Sequence, residues 1–446
     1  MTDSFFRRVW RWHFWAGLAV APALLVVALT GALYTFRAEI EDAARPELAF
    51  VEPGANRKPL DELLAAVRAA HPDLKPVRAT VSSDPARSAT VLVEPASGPP
   101  SGTARAVFVD PYTGAVLGDG PARSPFFAGV LKLHRTLFAD SFGRAVVELT
   151  TSWTLVLLVS GLALWWPARA GEVWGVWLPR LRGPKYRALR DLHAVPAAYL
   201  APAAALVAVT GLFYTVVWLR GYNAATGGAG DFPAALRAAP PAVPTGAKPV
   251  PVEAALVAAR DRWPGKSYTV QLPKKPTDAY AVTVRGTGDG GPSVYGLVAV
   301  DPFSGAVTAD VRHDALPLLE RVRLWVLPIH TGTVAGTPTK VLALATCSAL
   351  AGLAVSGVWM WLARRPAGRW GFPRASAAPV PKPATVLILA LALFLPTVAL
   401  SLVAVLLSEW LVERVRRSRS PDSPPPADPV PARVPVLSDP QEVSAS

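Results

Sequence analysis

Five stretches of the chain stay apolar for the length a bilayer demands: 12–36, 145–166, 192–219, 341–362 and 385–407. At 1.5 Å of rise per residue, about 20 apolar residues cover a hydrocarbon core of about 30 Å. Each run therefore predicts a transmembrane helix. Between the first and second runs, and again between the third and fourth, the pattern changes. A helical period over 60–70 and over 252–263 gives way to short strand-like runs at 77–81, 89–93, 104–109, 267–272, 279–284 and 295–300. The last run of each set enters an Asp-Pro-x-x-Gly turn, where proline presets φ and glycine accepts a positive φ, and one further strand is expected after it. Each long connection reads as a small α+β module.

The same material occurs twice. Leu25-Val26-Val27-Ala28-Leu29-Thr30-Gly31-Ala32-Leu33-Tyr34-Thr35 returns 180 residues later as Ala205-Leu206-Val207-Ala208-Val209-Thr210-Gly211-Leu212-Phe213-Tyr214-Thr215. Val109-Asp110-Pro111-Tyr112-Thr113-Gly114 returns as Val300-Asp301-Pro302-Phe303-Ser304-Gly305, and Ser160-Gly161 with Trp165 returns as Ser356-Gly357 with Trp361. Each half is helix, outer module, helix. Both halves run in the same direction, so a pseudo-twofold along the membrane normal should relate them.

Charge sets the orientation. Only 17% of the 446 residues are charged and 51% are hydrophobic, against about 25% charged in an ordinary soluble domain. The net charge of +13 invites a nucleic-acid reading, but the basic residues gather in short connections. Arg7, Arg8 and Arg11 precede the first run. Arg169, Arg180, Arg182, Lys185, Arg187 and Arg190 lie between the second and third, and Arg364, Arg365, Arg369, Arg374 and Lys382 between the fourth and fifth. Short basic connections stay in the cytoplasm. The N-terminus is thus expected inside, the long connections outside, and the first run is a retained helix rather than a cleaved signal. Arg414, Arg416, Arg417 and Arg419 conflict with an outside C-terminus, unless the fifth run does not fully cross. The only cysteine, Cys347, falls inside the fourth run, so the outer segments have no disulfides. Many of the 15 tryptophans mark span ends as an aromatic belt.

The duplication also sorts the six histidines. His13 precedes Thr30 by 17 residues, as His193 precedes Thr210, and His134 precedes Ser160 by 26, as His330 precedes Ser356. His71 and His313 have no such mates and are assigned to the surface. Topology pairs His13 with His193 at the inner depth and His134 with His330 at the outer one. Interfacial histidines bonded to backbone or lipid remain the plain alternative. Two imidazoles facing across a bundle, without cysteine or carboxylate, suit the axial positions of a haem iron, whereas zinc would want its ligands together. Arg11 and Arg190 on the inner side, and Arg144 and Lys340 on the outer, are possible propionate partners or snorkelling anchors.

The segments Arg11-Trp12-His13-Phe14-Trp15-Ala16-Gly17, Leu133-His134-Arg135-Thr136-Leu137, Leu162-Ala163-Leu164-Trp165-Trp166-Pro167, Leu192-His193-Ala194 and Leu327-Pro328-Ile329-His330-Thr331-Gly332 resemble the PepSY-associated transmembrane family. These are bacterial inner-membrane proteins, often iron-regulated. The resemblance implies periplasmic PepSY-like modules flanked by helices. Some members are similar to ferric-siderophore reductases that bind b-type haems through membrane histidines. A di-haem oxidoreductase is then expected, holding two haem b groups and passing electrons to a periplasmic acceptor, ferric iron in a siderophore complex. No Gly-x-Gly-x-x-Gly motif follows a strand and the inner connections leave no room for a nicotinamide or flavin domain, so quinol or a separate protein is the expected donor. The alternative is a PepSY-type sensor, regulator or siderophore-uptake accessory protein without redox activity.

The expected fold is a membrane α-helical bundle of four core helices plus a fifth, with two duplicated α+β PepSY-like domains. The chain divides into 1–37 (first helix), 38–125 (first outer module), 126–167 (outer His segment and second helix), 168–191 (basic loop) and 192–219 (third helix). The rest is 220–325 (second module), 326–363 (outer His segment and fourth helix), 364–383 (loop), 384–408 (fifth helix) and 409–446 (a Pro-rich tail expected to be disordered). The orientation is testable: in a Cys347→Ser background, a membrane-impermeant thiol reagent should label Glu94→Cys on intact cells and spare Arg182→Cys until the membrane is opened. The reverse pattern would overturn it.

Overall fold

The computed structural model describes residues 3–96, 105–166, 171–236, 248–275, 278–286, 291–366, 368–373 and 382–419. In the first half α1 (Asp3–Thr35), α2 (Arg37–Ala44), α3 (Pro46–Ala49) and α4 (Leu60–Ala70) lead into strands β1 (Leu74–Val81), β2 (Ala89–Pro95), β3 (Arg105–Val109) and β4 (Val116–Pro121). The half closes with α5 (Pro125–Thr136) and α6 (Asp140–Trp165). In the second half α7 (Lys185–Leu212), α8 (Val217–Thr226) and α9 (Val252–Arg262) precede β5 (Ser267–Gln271), β6 (Tyr280–Arg285), β7 (Gly296–Val300) and β8 (Val307–Arg312). It closes with α10 (Leu318–Thr331) and α11 (Thr337–Arg364), and α12 (Lys382–Phe394) and α13 (Pro396–Arg419) follow. The bundle and the sheet both belong to the first of two compact units, Met1–Val398 and Ala399–Ser446.

Four helices, α1, α6, α7 and α11, are long and apolar enough to cross a membrane. α1 and α7 each pack against both α6 and α11, so the four close into a bundle with the duplicated helices on opposite corners. Ala28, Ala204, Leu350 and Ala351 meet at its centre. Lipid tails are as apolar as these side chains, so such helices associate through close packing, which small residues permit.

The strands form a single antiparallel sheet in the order β4-β3-β2-β1-β5-β6-β7-β8. Each half supplies a four-stranded meander, and the meanders join where β1 pairs with β5, from Arg78 opposite Gln271 to Val81 opposite Tyr268. The segments 38–125 and 220–325 therefore share one sheet and one core: Leu63, Leu64 and Val67 of α4, with Ala255, Leu256 and Ala259 of α9, cover Val91, Val107, Val270, Val282 and Val298. The junction is reciprocal. Asp61 of α4 accepts the backbone N–H groups of Val252 and Glu253 at 3.0 and 2.9 Å, and Glu253 of α9 accepts that of Leu60 at 2.6 Å. Each acid caps the other half's helix, where unpaired N–H groups and the helix dipole favour a carboxylate. On the opposite face of the second meander, Leu297 and Ala299 pack with Leu324 of α10, which ties the sheet to the helix carrying His330.

Two runs depart from the sequence expectation. The third, expected over 192–219, is α7 from Lys185 to Leu212 and then α8 from Val217. The apolar pattern continues through the break because the break is buried and satisfied from elsewhere. Glu148 of α6, 1% exposed, accepts the N–H groups of Val216, Val217 and Trp218 at 3.0, 3.0 and 2.7 Å. The fifth run is two helices, sharply bent between Phe394 and Pro396. Pro396 lacks the N–H that would continue the ladder. The Val398 N–H turns to the Leu395 carbonyl at 2.9 Å, and the Phe394 carbonyl accepts Trp218 Nε1 at 2.9 Å, while Thr397 donates to Ser152 Oγ at 2.9 Å. Segment 384–408 is therefore not one straight helix, and α13 continues to Arg419; the remaining tail, 420–446, lies outside the described residues.

The two Asp-Pro turns have the expected form. Asp110 Oδ1 accepts from Tyr112 and Thr113 N–H at 2.8 and 3.3 Å, Asp301 Oδ1 from Phe303 and Ser304 at 2.7 and 3.3 Å, and Gly114 and Gly305 sit at φ 77° and 74°. Burial pushes the Asp110 carboxyl up, but the Tyr112 and Thr113 amides outweigh it; Asp301 is lowered chiefly by the Phe303 amide. A carboxyl depressed on folding stabilises the fold above its unfolded value, and that stabilisation is lost as pH falls. Acid unfolding of the sheet should therefore show a stability loss as pH falls from the ordinary aspartate value of 3.8. Asp110→Asn with Asp301→Asn should flatten it, as read by tryptophan fluorescence; an unchanged acid limb would contradict the assignment.

Candidate functional site

All four duplicated histidines point into the bundle from different elements, and each meets the same small motif on a neighbouring helix. His13 Nδ1 of α1 stands 2.9 Å from Ser160 Oγ of α6, and His193 Nδ1 of α7 stands 2.9 Å from Ser356 Oγ of α11. His134 Nδ1 of α5 lies 3.0 Å from the Val27 carbonyl and 3.1 Å from Thr30 Oγ1, both on α1. His330 Nδ1 of α10 lies 3.0 Å from the Val207 carbonyl and 3.3 Å from Thr210 Oγ1, both on α7. Beside each hydroxyl is a glycine. A Cβ added to Gly161, Gly357, Gly31 or Gly211 would lie 3.3, 3.5, 3.3 or 3.1 Å from Cε1 of His13, His193, His134 or His330 respectively. Hydroxyl and glycine together make a slot one imidazole wide.

The partners fix the proton. A carbonyl only accepts, so His134 and His330 must donate from Nδ1. Ser160 Oγ lies 2.9 Å from the Val156 carbonyl and Ser356 Oγ 3.3 Å from that of Leu353; with each hydroxyl hydrogen turned to its carbonyl, His13 and His193 donate from Nδ1 as well. No hydrogen bond reaches the Nε2 of any of the four among the described residues. In every case the nitrogen left with a lone pair is Nε2.

The imidazoles come together in two pairs. His13 and His193 have ring centroids 6.5 Å apart with planes at 85°, and His134 and His330 have centroids 6.3 Å apart at 57°. The bond from His134 to Thr30 sets the spacing of the depths: Thr30 is 17 residues along α1 from His13, about 25 Å at helical rise. The inner pair opens on a cavity of about 400 Å³ that also touches Gly17, Ala197, Arg190 and Arg364. Beside the outer pair, the Tyr214 ring lies 5.7 Å from that of His330. No cluster of three or more His, Cys, Asp or Glu side chains is placed to hold a metal ion among the described residues.

One family's model, described as the PepSY-associated TM region, matches residues 10–364. The chain belongs to that family. It is a multi-pass membrane protein, and comparison with curated proteins gives no match.

The basic residues singled out from the PepSY-associated sequence fare unequally. Arg190 lines the inner cavity; Arg11 does not. Lys340 forms an ion pair with Glu39 and sits 5.9 Å from the Phe36 ring; burial opposes ionisation of Glu39, but Lys340 outweighs it and holds the carboxyl below its ordinary value. Arg144 is exposed. His71 and His313 are half-buried and join neither pair. What sequence reasoning missed was the supporting motif: Thr30-Gly31, Ser160-Gly161, Thr210-Gly211 and Ser356-Gly357 marked the repeat without being assigned a role. The signal was present, because each sits at a fixed distance from a duplicated histidine.

The tautomer assignment can be measured. Nitrogen spectra of histidine-labelled apoprotein in bilayers should show Nδ1–H, Nε2-bare imidazole for His134 and His330. Thr30→Val should leave His134 in that form, since the Val27 carbonyl still accepts, whereas Ser160→Ala should release His13 to mixed tautomers. An Nε2–H majority in the unsubstituted protein would refute the arrangement.

Proposed function

We propose that this PepSY-associated protein is a di-haem oxidoreductase of the bacterial inner membrane that passes electrons to a periplasmic acceptor. The observation that carries the reading is the spacing of the imidazoles. Two imidazoles sharing one iron would have centroids about 6.2 Å apart, from two metal–nitrogen distances of about 2 Å and two ring half-widths of about 1.1 Å. The observed 6.5 and 6.3 Å lie close to that value at both depths. Two ligands per depth suit a macrocycle that brings its own four equatorial nitrogens. Haem b bound there would supply one-electron Fe(III)/Fe(II) chemistry.

The chain's own contribution is positional. Ser160 and Ser356, and the Val27 and Val207 carbonyls, hold the Nδ1 protons and so keep each Nε2 basic and aimed. The surrounding apolar helices exclude water and set the dielectric that governs the potential. Two sites about 25 Å apart span most of a hydrocarbon core of about 30 Å, a span that favours transfer across the bilayer over chemistry on one face. The basic connections support an N-terminus in the cytoplasm and the eight-stranded sheet, as two PepSY-like modules, in the periplasm. There α10 links the sheet to the outer pair, and the acceptor we favour is chelated Fe(III), as in a ferric siderophore. Quinol or a separate protein is the donor.

Purified protein should show a Soret band and about two haems per chain in a pyridine haemochrome assay. His13→Ala should remove one and His134→Ala the other, each with loss of ferric reductase activity in proteoliposomes. Colourless protein from haem-replete cells, retaining its cellular function, would sink the proposal and favour a sensor or accessory role.

A further inference from the structure

The inner cavity is apolar along most of its wall, yet its cytoplasmic end carries two arginines from different helices, Arg190 of α7 and Arg364 of α11. Arg190 precedes His193 by three residues, and Arg364 follows Gly357, the glycine against His193, by seven. Both guanidinium groups thus lie on the inner side of the imidazole pair, about one and two helical turns away.

Their placement respects the duplication in a way the sequence alone conceals. The repeat mate of Arg190 is Trp10, and the Arg364 guanidinium lies over the Trp10 ring at 4.6 Å and near the Phe14 ring at 6.0 Å. A cation from α7 itself and a cation borrowed from α11 therefore occupy matching places on the two sides of the cavity. Stacking on an aromatic face leaves the guanidinium edge free to donate to an anion. Arg364 has no ion-pair partner among the described residues. Arg190 makes one long contact to Asp191, at 3.5 Å, and shares that carboxylate with Arg180, which holds it more closely through Nε at 2.7 Å, Nη2 at 3.1 Å and the backbone N–H at 3.1 Å. Arg11, the other inner cation expected to act here, lies off the cavity, and its repeat mate is Asp191 itself.

We infer that Arg190 and Arg364 form a two-pronged carboxylate clamp at the cytoplasmic mouth of the cavity. It would hold the two propionates on one edge of an iron porphyrin whose iron lies between His13 and His193. The inference rests on the haem reading above and adds the ligand's orientation: its acidic edge faces the cytoplasm, and electrons enter the inner site across that edge. Two exposed arginines could instead meet lipid phosphates, and the test separates the two anion sources.

The test uses the full chain carrying His134→Ala and His330→Ala, so that only the inner site is read. Apoprotein in a neutral detergent is titrated with iron protoporphyrin IX and with its dimethyl ester, which keeps the macrocycle but lacks both carboxylates. The free acid should bind more tightly by about tenfold or more. Arg190→Gln and Arg364→Gln should each reduce that preference, and together bring it near one while the low-spin bis-imidazole spectrum persists. Arg11→Gln should leave it unchanged, and apoprotein melting curves check that each variant is folded. Equal binding of acid and ester to the protein with both arginines would overturn the clamp and leave lipid phosphate as their partner. So would a preference that survives the double substitution or follows Arg11. Failure of either porphyrin to give a bis-imidazole spectrum with His13 and His193 intact would instead overturn the haem reading, and the clamp with it.

Discussion

A histidine within a helix bundle has two nitrogens and can present only one of them usefully; the other must be held. The bond from Nδ1 to a hydroxyl or carbonyl on the next helix is the interaction on which the rest of this structure depends. It sets a β-hydroxy residue on the facing turn, and it favours glycine beside it, because a Cβ there would stand 3.1 to 3.5 Å from the imidazole edge. It also dictates helix order. His13 is held by α6 and His193 by α11, while His134 and His330 are held by α1 and α7. Every bundle helix thus carries or supports an imidazole, and α1 and α7 do both. Moving α1 or α7 would misplace an imidazole at one depth and a support at the other.

The same logic explains why the chain is a duplication. A pseudo-twofold brings like residues face to face, so a single half-sequence, written twice, yields paired imidazoles at each depth without separate invention. The sheet uses the symmetry differently. Its β1–β5 seam and the reciprocal caps from Asp61 and Glu253 fuse the two meanders, which turns two marginal four-stranded modules into one eight-stranded body with a shared core. A fused sheet fixes the separation of the two halves above the bundle. Packing of Leu297 and Ala299 on Leu324 then hands that rigidity to α10 and His330.

Much of this was legible in the residues, and the failures have physical causes. Apolar runs and strand alternation located the spans and strands because burial is periodic. The 180-residue repeat sorted four histidines from six because equivalent positions in a symmetric bundle meet. The break after Leu212 was invisible because hydropathy registers burial, not backbone pairing: Glu148 satisfies three amides from a helix distant in sequence, and nothing local announces it. The shared sheet was missed because edge-to-edge pairing depends on where two modules are held, which is a property of the bundle beneath them. Arg364 was missed for a third reason. Symmetry reasoning seeks a residue's mate, and here the matching cation comes from a different helix than its counterpart.

Asymmetry is therefore informative in this molecule. Where the halves agree, at the imidazoles and their Ser-Gly and Thr-Gly slots, the agreement serves a feature needed twice. Where they differ, a local demand has overridden the copy. Glu148 corresponds to Leu344, and the carboxylate stands where α7 breaks and needs a cap; Lys340 corresponds to Arg144, and among the described residues only the lysine has found an acid, Glu39. The outer site differs in the same manner, with Tyr214 against His330 while Tyr34 turns to Phe127. Because the twofold runs along the membrane normal, the inner and outer pairs differ even in a perfect copy, and these departures add a difference between the two imidazoles of one pair. On the haem reading, burial, nearby charge and hydrogen bonding at each depth would set the two potentials apart.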